Sequence, residues 1–571
     1  GLGDVYKRQA LLPILFNSCH SMNDAEVNAT MCNPLPLNYD FTVEEGVSRR
    51  DGAHPCVVLF RDVYYLFMSN IQGYYKSDDL LHWTLVTTNL PTIGNAPAVV
   101  EMDGQLYLTF SGATGTFYRT AMPESGQWEV ATNSFPYDVA EPSFFYDEGR
   151  LFIYSGSGNK VPLTGMEIDP KTFLPLTQTI PLITDGKPTN GWEVAGDYHD
   201  WKTLSSWIEG TWMTKRDGKY YLQYASSGIQ YTGSNQGVYV ADNPLGPFVL
   251  ATHNPFVYKP EGFTKGAGNG CLFQDRYGND WYMGTTGVSV RHIFERRIVL
   301  HPVFFDKDSL MYAYTGFGDY PMSMPTKKIN SPEELATGWM LLSYRKLVRV
   351  SSEQRKHPAC CAVDESIRSW WSAETGDTGE FLSLDLGEVC EVRAIQINFA
   401  DEDAQLSGSV SDTYQYHLET STDGKKWKPV GEKSLRITDT PHDYVVLEKP
   451  LASRYLRITN VHVPAGKFSV SGFRVFGKAD KPAPSMVESW RGLRDVNDRR
   501  NATLRWNNVE DAVGYNIRYG TSPDKLYHNY IVYGDNEIII KGLHAEWEYY
   551  FAVDSFNEGG ITRGEKVEKV L

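Results

Sequence analysis

The residue with the clearest chemical potential is Glu209, a carboxylate near the start of an aromatic-rich segment, Trp207 to Ser226. Two apolar runs in this segment are joined by Arg216-Asp217-Gly218, which predicts a β-hairpin closed by an Asp-Gly turn. Glu209 lies between Trp207 and Trp212, and apolar surroundings favour the protonated form of a carboxyl group. From this hairpin alone, Glu209 is either a general acid or a solvated residue that ends a loop.

The hairpin around Glu209 is one of five similar segments. Each has a small residue or proline, a strand, a turn like Asp-Gly and an aromatic second strand, and the other four are Pro55–Asn70, Pro97–Gly112, Pro142–Gly156 and Gly270–Gly284. Such repeats are typical of the blades of a β-propeller, which predicts five blades within residues 38–325. A β-sandwich array is the alternative, but it does not explain the polar residue at the strand mouth.

The residues that precede the five first strands should meet in one funnel, because the first strands of propeller blades line the central channel. These residues are His54, Ala96, Glu141, Glu209 and Asn269. The expected convergence makes Glu209 a candidate site residue rather than an isolated surface acid.

Several short segments, taken in order, resemble a known family. They are Glu141-Pro-Ser-Phe-Phe145, Gly165-Met-Glu-Ile-Asp-Pro170, Trp207-Ile-Glu-Gly-Thr-Trp-Met213, Tyr239-Val-Ala-Asp-Asn-Pro-Leu-Gly-Pro-Phe248, Lys265-Gly-Ala-Gly-Asn-Gly270 and Phe294-Glu-Arg-Arg297. Over residues 49–321 the chain resembles glycoside hydrolase family 43, whose fold is a five-bladed propeller. The resemblance implies an exo-acting enzyme that removes terminal arabinofuranosyl, xylosyl, galactosyl or galactofuranosyl units from polysaccharide side chains with inversion.

The same resemblance implies three catalytic carboxylates, of which only the acid is present without change. The acid falls on Glu209. The general base, an Asp in the family, corresponds to His54, with Asp51 as an alternative on the base side. The second Asp, which raises the pKa of the acid and orients substrate, corresponds to Glu141. A catalytically silent propeller that binds glycans is therefore the competing interpretation.

Other residues are candidates for binding. Trp192, Glu193, Trp212 and Arg296 are candidate substrate contacts, because aromatic faces and charged hydrogen bonds hold sugar rings. Asn269 replaces a histidine that often binds an ion or water in the family, so it is a candidate for such a site. No cofactor is expected for the chemistry, and a structural calcium ion is a candidate in the propeller channel or in the module that follows.

Two further modules follow the propeller. Residues 345–478 resemble a discoidin module of the factor 5/8 type C class, a jelly-roll sandwich that in glycosidases often binds galactose-like sugars. Residues 485–571 resemble a fibronectin type III sandwich, with strands of period two such as Ala502-Thr-Leu-Arg-Trp506. The predicted class is therefore all-β throughout.

Charge and the N-terminus limit the partners and the location. The net charge of −16 over 571 residues argues against nucleic acid, whereas a poly- or oligosaccharide is expected. Residues 1–19 are interpreted as a sequence-assembly scar followed by a truncated lipoprotein signal, with Cys19 as the acylated residue. Export to the periplasm or cell surface is expected, and the lipid anchor would be the only contact with a membrane.

Overall fold

The computed structural model describes residues 29–184, 186–201 and 207–571. Almost all of its regular structure is β-strand, interrupted by four short 3-10 turns at Pro123–Ser125, Gly191–Glu193, Pro332–Leu335 and Ala359–Ala362. In the described part of the chain no helix is long and apolar enough to cross a membrane. Cys19 and the predicted signal lie outside the described residues.

Five antiparallel sheets form the blades of a propeller. Blade 1 consists of Cys56–Phe60, Val63–Phe67, Tyr74–Ser77 and Thr84–Val86. Blade 2 consists of Asn95–Met102, Gln105–Ser111, Phe117–Thr120 and Glu129–Thr132. Blade 3 consists of Ser143–Asp147, Arg150–Ser155, Leu163–Ile168 and Ile180–Ile183.

The remaining two blades follow the same plan. Blade 4 consists of Ile208–Arg216, Lys219–Ser226, Asn235–Ala241 and Val249–Leu250, and Ser157–Gly158 adds a short fifth strand beside the first. Blade 5 consists of Gly268–Gln274, Asp280–Gly287, Arg296–Phe305 and Met311–Ala313. The first strand of each blade contacts that of the next, and blade 5 contacts blade 1, so the ring is closed. The five predicted blades are therefore confirmed.

Tight turns explain why the hairpins repeat. Arg216 pairs with Lys219, which leaves Asp217 and Gly218 as a two-residue turn, and both have positive φ, at 49° and 76°. Such turns match the right-handed twist of the flanking strands and favour Asp-Gly or Asn-Gly. Blade 2 uses Asp103-Gly104 in the same way.

Segments before and after the blades complete the propeller. Thr30–Met31 pairs with Met322–Ser323, and the Nδ2 of Asn33 donates to the backbone oxygens of Leu300 and Gly318. A hairpin of Phe41–Glu44 and Val47–Arg50 precedes blade 1 and ends next to Asp51. The N-terminal segment thereby holds blade 5 against blade 1.

The second module is a sandwich built on two long, bent strands, Phe381–Phe399 and His442–His462. Its other strands are Met340–Leu341, Leu347–Val350, Trp371–Ser372, Gln415–Ser421, Lys428–Pro429 and Ser469–Lys478. Apolar side chains from both layers fill one core, in which Trp371 is fully buried. Trp371 therefore packs this module.

A third module of two antiparallel sheets ends the chain. One sheet contains Trp490–Arg494, Ala502–Trp506 and Glu537–Ile540. The other contains Gly514–Gly520, His528–Tyr533, Tyr549–Asn557, Gly560–Thr562 and Glu568–Val570. The arrangement is a β-sandwich, and its resemblance to fibronectin type III remains a prediction.

Buried charges join the propeller to the second module. Arg50, at the end of the N-terminal hairpin, binds Asp401 at 2.7 Å and Asp439 at 2.6 Å. The Nε of Arg297 in blade 5 donates to the Nε2 of His442 at 2.8 Å. These contacts lie directly beside Asp51 and Arg296, so the second module supports the strand ends that reach the site.

Candidate active site

The four strand-mouth residues other than Glu209 share an unusual backbone conformation. His54, Ala96, Glu141 and Asn269 have φ values of 51°, 51°, 51° and 49°. Residues other than glycine rarely adopt positive φ, and such residues cluster at functional sites. Each blade thus turns sharply where its first strand begins, and this turn directs the side chain at the mouth.

Hydroxyl groups from neighbouring blades hold these turns. The backbone N–H of Ala96 donates to Ser69, and that of Glu141 donates to Ser111. The backbone N–H of His54 donates to Thr285 of blade 5, which closes the same pattern around the ring. Hydrogen bonds between neighbouring blades therefore hold three of the five strand mouths.

In blade 4, a glycine next to the strand-mouth residue adopts the positive φ. A β-bulge interrupts the pairing between Glu209 and Trp212, and Gly210 within it has a φ of 63°. A Cβ atom on Gly210 would lie 2.1 Å from Oδ1 of Asn269, so no other residue fits without displacing that amide. The bulge re-aims the strand end, which is a common use of bulges beside active sites.

His54, Glu141, Glu209 and Arg296 line one cavity of about 620 Å³. This volume lies within the range of roughly 300–1,000 Å³ that is usual for small-molecule sites. Asp51 does not line the cavity. The four lining residues come from blades 1, 3, 4 and 5, as expected if the strand mouths converge.

Three hydrogen bonds hold the carboxyl group of Glu209. Asn269 donates to its Oε1 at 2.8 Å, and Ser157 and the indole of Trp207 donate to its Oε2 at 2.8 and 2.6 Å. The Ser157 hydroxyl can donate to a carboxylate or accept from a carboxylic acid. Glu209 is buried yet reaches the cavity, which is a geometry suited to proton transfer.

Glu141 is the second buried carboxyl group of the cavity. Burial, and then the charge of Glu209, raise its pKa well above the ordinary value, although Arg296 and a hydrogen bond from Asn95 oppose this shift. Its Oε2 accepts no hydrogen bond and lies 3.6 Å from Nε2 of His54. Glu141 therefore holds a proton over a wider pH range than a solvated glutamate does.

His54 is neutral in this environment. Burial, and then the positive charge of Arg296, lower its pKa well below the ordinary value. Its Nδ1 lies 2.7 Å from Oγ of Ser69, so its Nε2 faces Glu141. At neutral pH the contact between His54 and Glu141 is thus one between an imidazole and a carboxyl group rather than an ion pair.

Asp51 is bound by Arg296 through both carboxylate oxygens, at 2.8 and 2.7 Å. Burial alone would lower the pKa of Arg296, but Asp51 and then the two cavity glutamates raise it. A carboxylate held in a bidentate pair with arginine is a poor proton acceptor. The geometry therefore makes Asp51 the partner of Arg296, and of the two candidates for the base side only His54 lines the cavity.

Three of the predicted substrate contacts lie elsewhere, and this corrects their proposed role. Trp192 is fully buried, with its ring 6.1 Å from that of His544 and 5.9 Å from that of Trp547 in the third module. Glu193 is buried beside it, and burial raises its pKa to about 7. Trp212 packs among apolar residues between blades. None of the three lines the cavity.

Aromatic and amide side chains that the sequence did not single out complete the cavity. They are Asn70, Asn95, Asn159, Trp201, Gln230 and Tyr231. Trp201 and Trp207 are 44% and 41% exposed, so each offers a face to a ligand. The only sequence signal for them is their place in loops next to strand mouths.

Asn269 has a spare amide oxygen, since its Oδ1 is buried and accepts no hydrogen bond. A calcium ion takes about six to eight oxygen ligands, usually with several carboxylates. In residues 29–184, 186–201 and 207–571, no group of three or more His, Cys, Asp or Glu side chains could hold a metal ion. The calcium ion expected in the channel or the second module stays a prediction, and the unpaired Oδ1 of Asn269 can accept a hydrogen bond from a water molecule.

Comparison with known proteins identifies two domains. Residues 44–311 match the model of glycosyl hydrolases family 43, and residues 348–471 match that of the F5/8 type C domain. The chain therefore contains a glycoside hydrolase family 43 domain followed by an F5/8 type C, or discoidin, domain. Both resemblances are confirmed.

Curated relatives are distant. The chain is 26% identical over 275 residues to extracellular endo-alpha-(1->5)-L-arabinanase 2 of Bacillus subtilis, a match that covers 39% of this chain and 53% of that protein. It is 25% identical over 234 residues to a beta-D-galactofuranosidase of Aspergillus niger, covering 34% of this chain and 62% of that protein. The matches span less than two thirds of either relative.

A solved structure, that of a thermostable family-43 glycoside hydrolase, is also similar. It is 17% identical, with 49% of this chain and 95% of that chain covered and a TM-score of 0.40. A TM-score this low carries no information about function.

Proposed function

We propose that this protein is an exo-acting, inverting glycoside hydrolase. Its substrates would be terminal arabinofuranosyl, xylosyl, galactosyl or galactofuranosyl units on polysaccharide side chains. The observation that carries the proposal is that Glu141 and Glu209, two buried carboxyl groups from neighbouring blades, line one cavity with His54. The family match over residues 44–311 and the glycosidase activities for which the two relatives are named support the same class.

In the proposed reaction, Glu209 is the general acid. It gives its proton to the glycosidic oxygen as the bond from that oxygen to the anomeric carbon breaks. Trp207 and Asn269 hold the carboxyl group in place, and Ser157 can bond to it before and after the transfer. The positive charge that develops on the sugar ring is stabilised by the ionised form of Glu141.

The base side consists of His54 supported by Glu141. A water molecule attacks the anomeric carbon from the opposite face and loses a proton to Nε2 of the neutral imidazole. The ionised Glu141, 3.6 Å from that nitrogen, compensates the new positive charge. Inversion requires about 6.5–9.5 Å between the acid and the base group so that water fits between them.

The remaining cavity residues would position substrate. Trp201 and Trp207 offer aromatic faces, and Asn70, Asn159 and Gln230 offer amide groups to sugar hydroxyls. Arg296, fixed by Asp51, is placed to donate to a hydroxyl.

The proposal is tested by a panel of aryl α-L-arabinofuranosides, β-D-xylosides, β-D-galactosides and β-D-galactofuranosides. We expect turnover of at least one substrate, and NMR of the first product should show the inverted anomer. Retention of configuration would contradict the mechanism. Turnover of none of them, with binding of a neutral polysaccharide, would favour the second candidate function.

That second candidate is a catalytically silent, glycan-binding propeller. The observation in its favour is His54, because a buried imidazole with a lowered pKa replaces the anionic base of the family. In either case we propose that the protein is exported and acts on carbohydrate outside the cytoplasm, with Cys19 as its lipid attachment point. Protease treatment of intact cells that express the natural protein would test its exposure at the surface.

A further inference from the structure

A second large cleft lies between blade 5, the segment that follows it and the third module. Its volume is about 870 Å³, which is also within the roughly 300–1,000 Å³ usual for ligand sites, and such sites often lie at domain boundaries. The cleft shares no lining residue with the cavity that holds Glu209. It is therefore a separate feature that the proposed hydrolysis does not use.

Aromatic side chains from all three walls face this cleft. Tyr312 of the propeller and Tyr527 of the third module stack in parallel, with ring centroids 3.8 Å apart and planes 2° apart. The hydroxyl of Tyr527 donates to Asp306 at 2.9 Å, which fixes this pair across the module boundary. Tyr314 and Trp339 are half-buried in the cleft walls, so part of each ring is accessible.

The charges of the cleft disfavour an anionic ligand. Arg518 is bound by Asp554 through two hydrogen bonds of 2.8 and 2.9 Å, and Arg563 lies 4.0 Å from Glu333 on the opposite wall. Both arginines that line the cleft thus face carboxylates, and Asp524 and Glu565 add negative charge at its rim. A phosphate or a uronic acid would find no free cation among these lining residues.

Neutral polar groups complete the walls. Asn516 is 3% exposed, and its Nδ2 donates to Asn529 at 2.9 Å while its Oδ1 accepts no hydrogen bond. Accessible aromatic faces beside fixed amide groups suit a ligand that is apolar on one face and carries hydroxyls at its edges. Neutral sugar rings have this character.

We propose that this cleft is a second carbohydrate-binding site, which takes a neutral oligosaccharide and performs no chemistry. It would hold a polysaccharide chain on the protein independently of the cavity. Because the proposed second site involves binding alone, it can be tested separately from the proposed hydrolysis.

The test measures binding of the full chain to neutral arabinan, xylan and galactan, with acidic polygalacturonate as comparison. All proteins carry Glu209→Gln, so that no turnover is needed. Trp339→Ala removes an aromatic face, and Ala336→Trp fills the cleft from its exposed edge without removing a wall residue. Tyr277→Ala, a 41% exposed aromatic outside the cleft, is the matched control.

We expect both cleft variants to bind the preferred neutral polysaccharide about tenfold more weakly, whereas the control binds like its parent. Thermal melting of each variant checks that the fold is kept. Unchanged binding in both cleft variants would overturn the proposal. So would preferential binding of polygalacturonate, or no binding of any neutral polysaccharide by the parent protein.

Discussion

Buried carboxylates face arginine at the boundary between the propeller and the discoidin domain, whereas in the cavity Glu141 and Glu209 face amide and imidazole groups. Arg50 binds Asp401 and Asp439, and all three side chains are almost inaccessible. The two arginines that line the cavity form ion pairs with other carboxylates, since Arg296 binds Asp51 and Arg49 binds Glu44.

This difference separates structural charge from functional charge. At Asp401 the charge of Arg50 outweighs burial and lowers the pKa, so this carboxylate stays ionised and holds two elements together, and removing either partner of such a pair is costly. At Glu141 burial and then the charge of Glu209 raise the pKa well above its ordinary value, so this carboxyl group can exchange a proton. The comparison therefore predicts where substitutions damage activity and where they damage stability.

The largest effect is expected for Glu209→Gln, which keeps the shape of the side chain but removes the transferable proton. We expect kcat/KM to fall by about 10²–10⁴-fold without a large loss of stability. Glu193→Gln is the matched control, since Glu193 is also buried and its pKa is raised to about 7, but it lies outside the cavity. A comparable loss of activity in both variants would remove the distinction between them.

A large loss of stability rather than of chemistry is expected for Arg50→Met. The substitution leaves Asp401 and Asp439 buried without their cation, which should cost about 3–5 kcal/mol in the free energy of unfolding. Arg119→Met, which breaks an exposed ion pair with Glu129, should cost less than about 1 kcal/mol. Urea denaturation of both variants would measure this, and equal losses would contradict the account.

The fold and part of the site were predictable from the sequence because both follow from repetition. Turns such as Asp217-Gly218 mark each hairpin, and equivalence of the five strand mouths brings His54, Glu141 and Glu209 to one cavity. The resemblance to family 43 and to the F5/8 type C domain fixed the domain order.

The failures concern residues whose surroundings come from distant parts of the chain. Trp192 is buried by His544 and Trp547, and no local sequence pattern predicts that contact. Trp212 has the alternation of a strand residue, but neighbouring blades cover it. Trp201 precedes blade 4 and Tyr231 lies between two of its strands, yet their rings meet with centroids 5.3 Å apart, a contact that no local sequence pattern predicts.

The pH dependence of activity should report the ionisation of Glu141, because the proposed base side needs Glu141 ionised and His54 neutral. His54 stays neutral to well below pH 6.5, and the raised pKa of Glu141 sets the acid limb above pH 4.5. We expect kcat/KM to fall by about tenfold per pH unit below that pKa. In Glu141→Gln this acid limb of the pH profile should disappear. If the limb is unchanged in the variant, it reports the ionisation of another group.

A further expected effect concerns the pH dependence of stability. Within the described residues, burial lowers the pKa of seven histidines, namely His54, His199, His253, His301, His442, His528 and His544. Below the ordinary value of 6.5 the unfolded chain binds more protons than the folded one, so stability should fall as the pH falls.

One of these histidines can be tested singly. The pKa of His301 is lowered to about 3. Between pH 3 and pH 6.5, His301→Gln should therefore reduce the slope of the unfolding free energy against pH by up to about 1.4 kcal/mol per pH unit. Equal slopes for the wild type and His301→Gln would show that His301 does not contribute.

The central claim is that Glu209 gives its proton to the leaving group. The most direct test is how the activity of Glu209→Gln depends on the leaving group of the substrate. We would compare kcat/KM of wild type and variant on dinitrophenyl and alkyl glycosides of the sugar that the wild type prefers. The dinitrophenyl group departs without a proton, so the variant should lose at least about tenfold less activity on it than on the alkyl glycoside. An equal loss on both substrates, or no loss on either, would contradict the assignment of Glu209 as the acid.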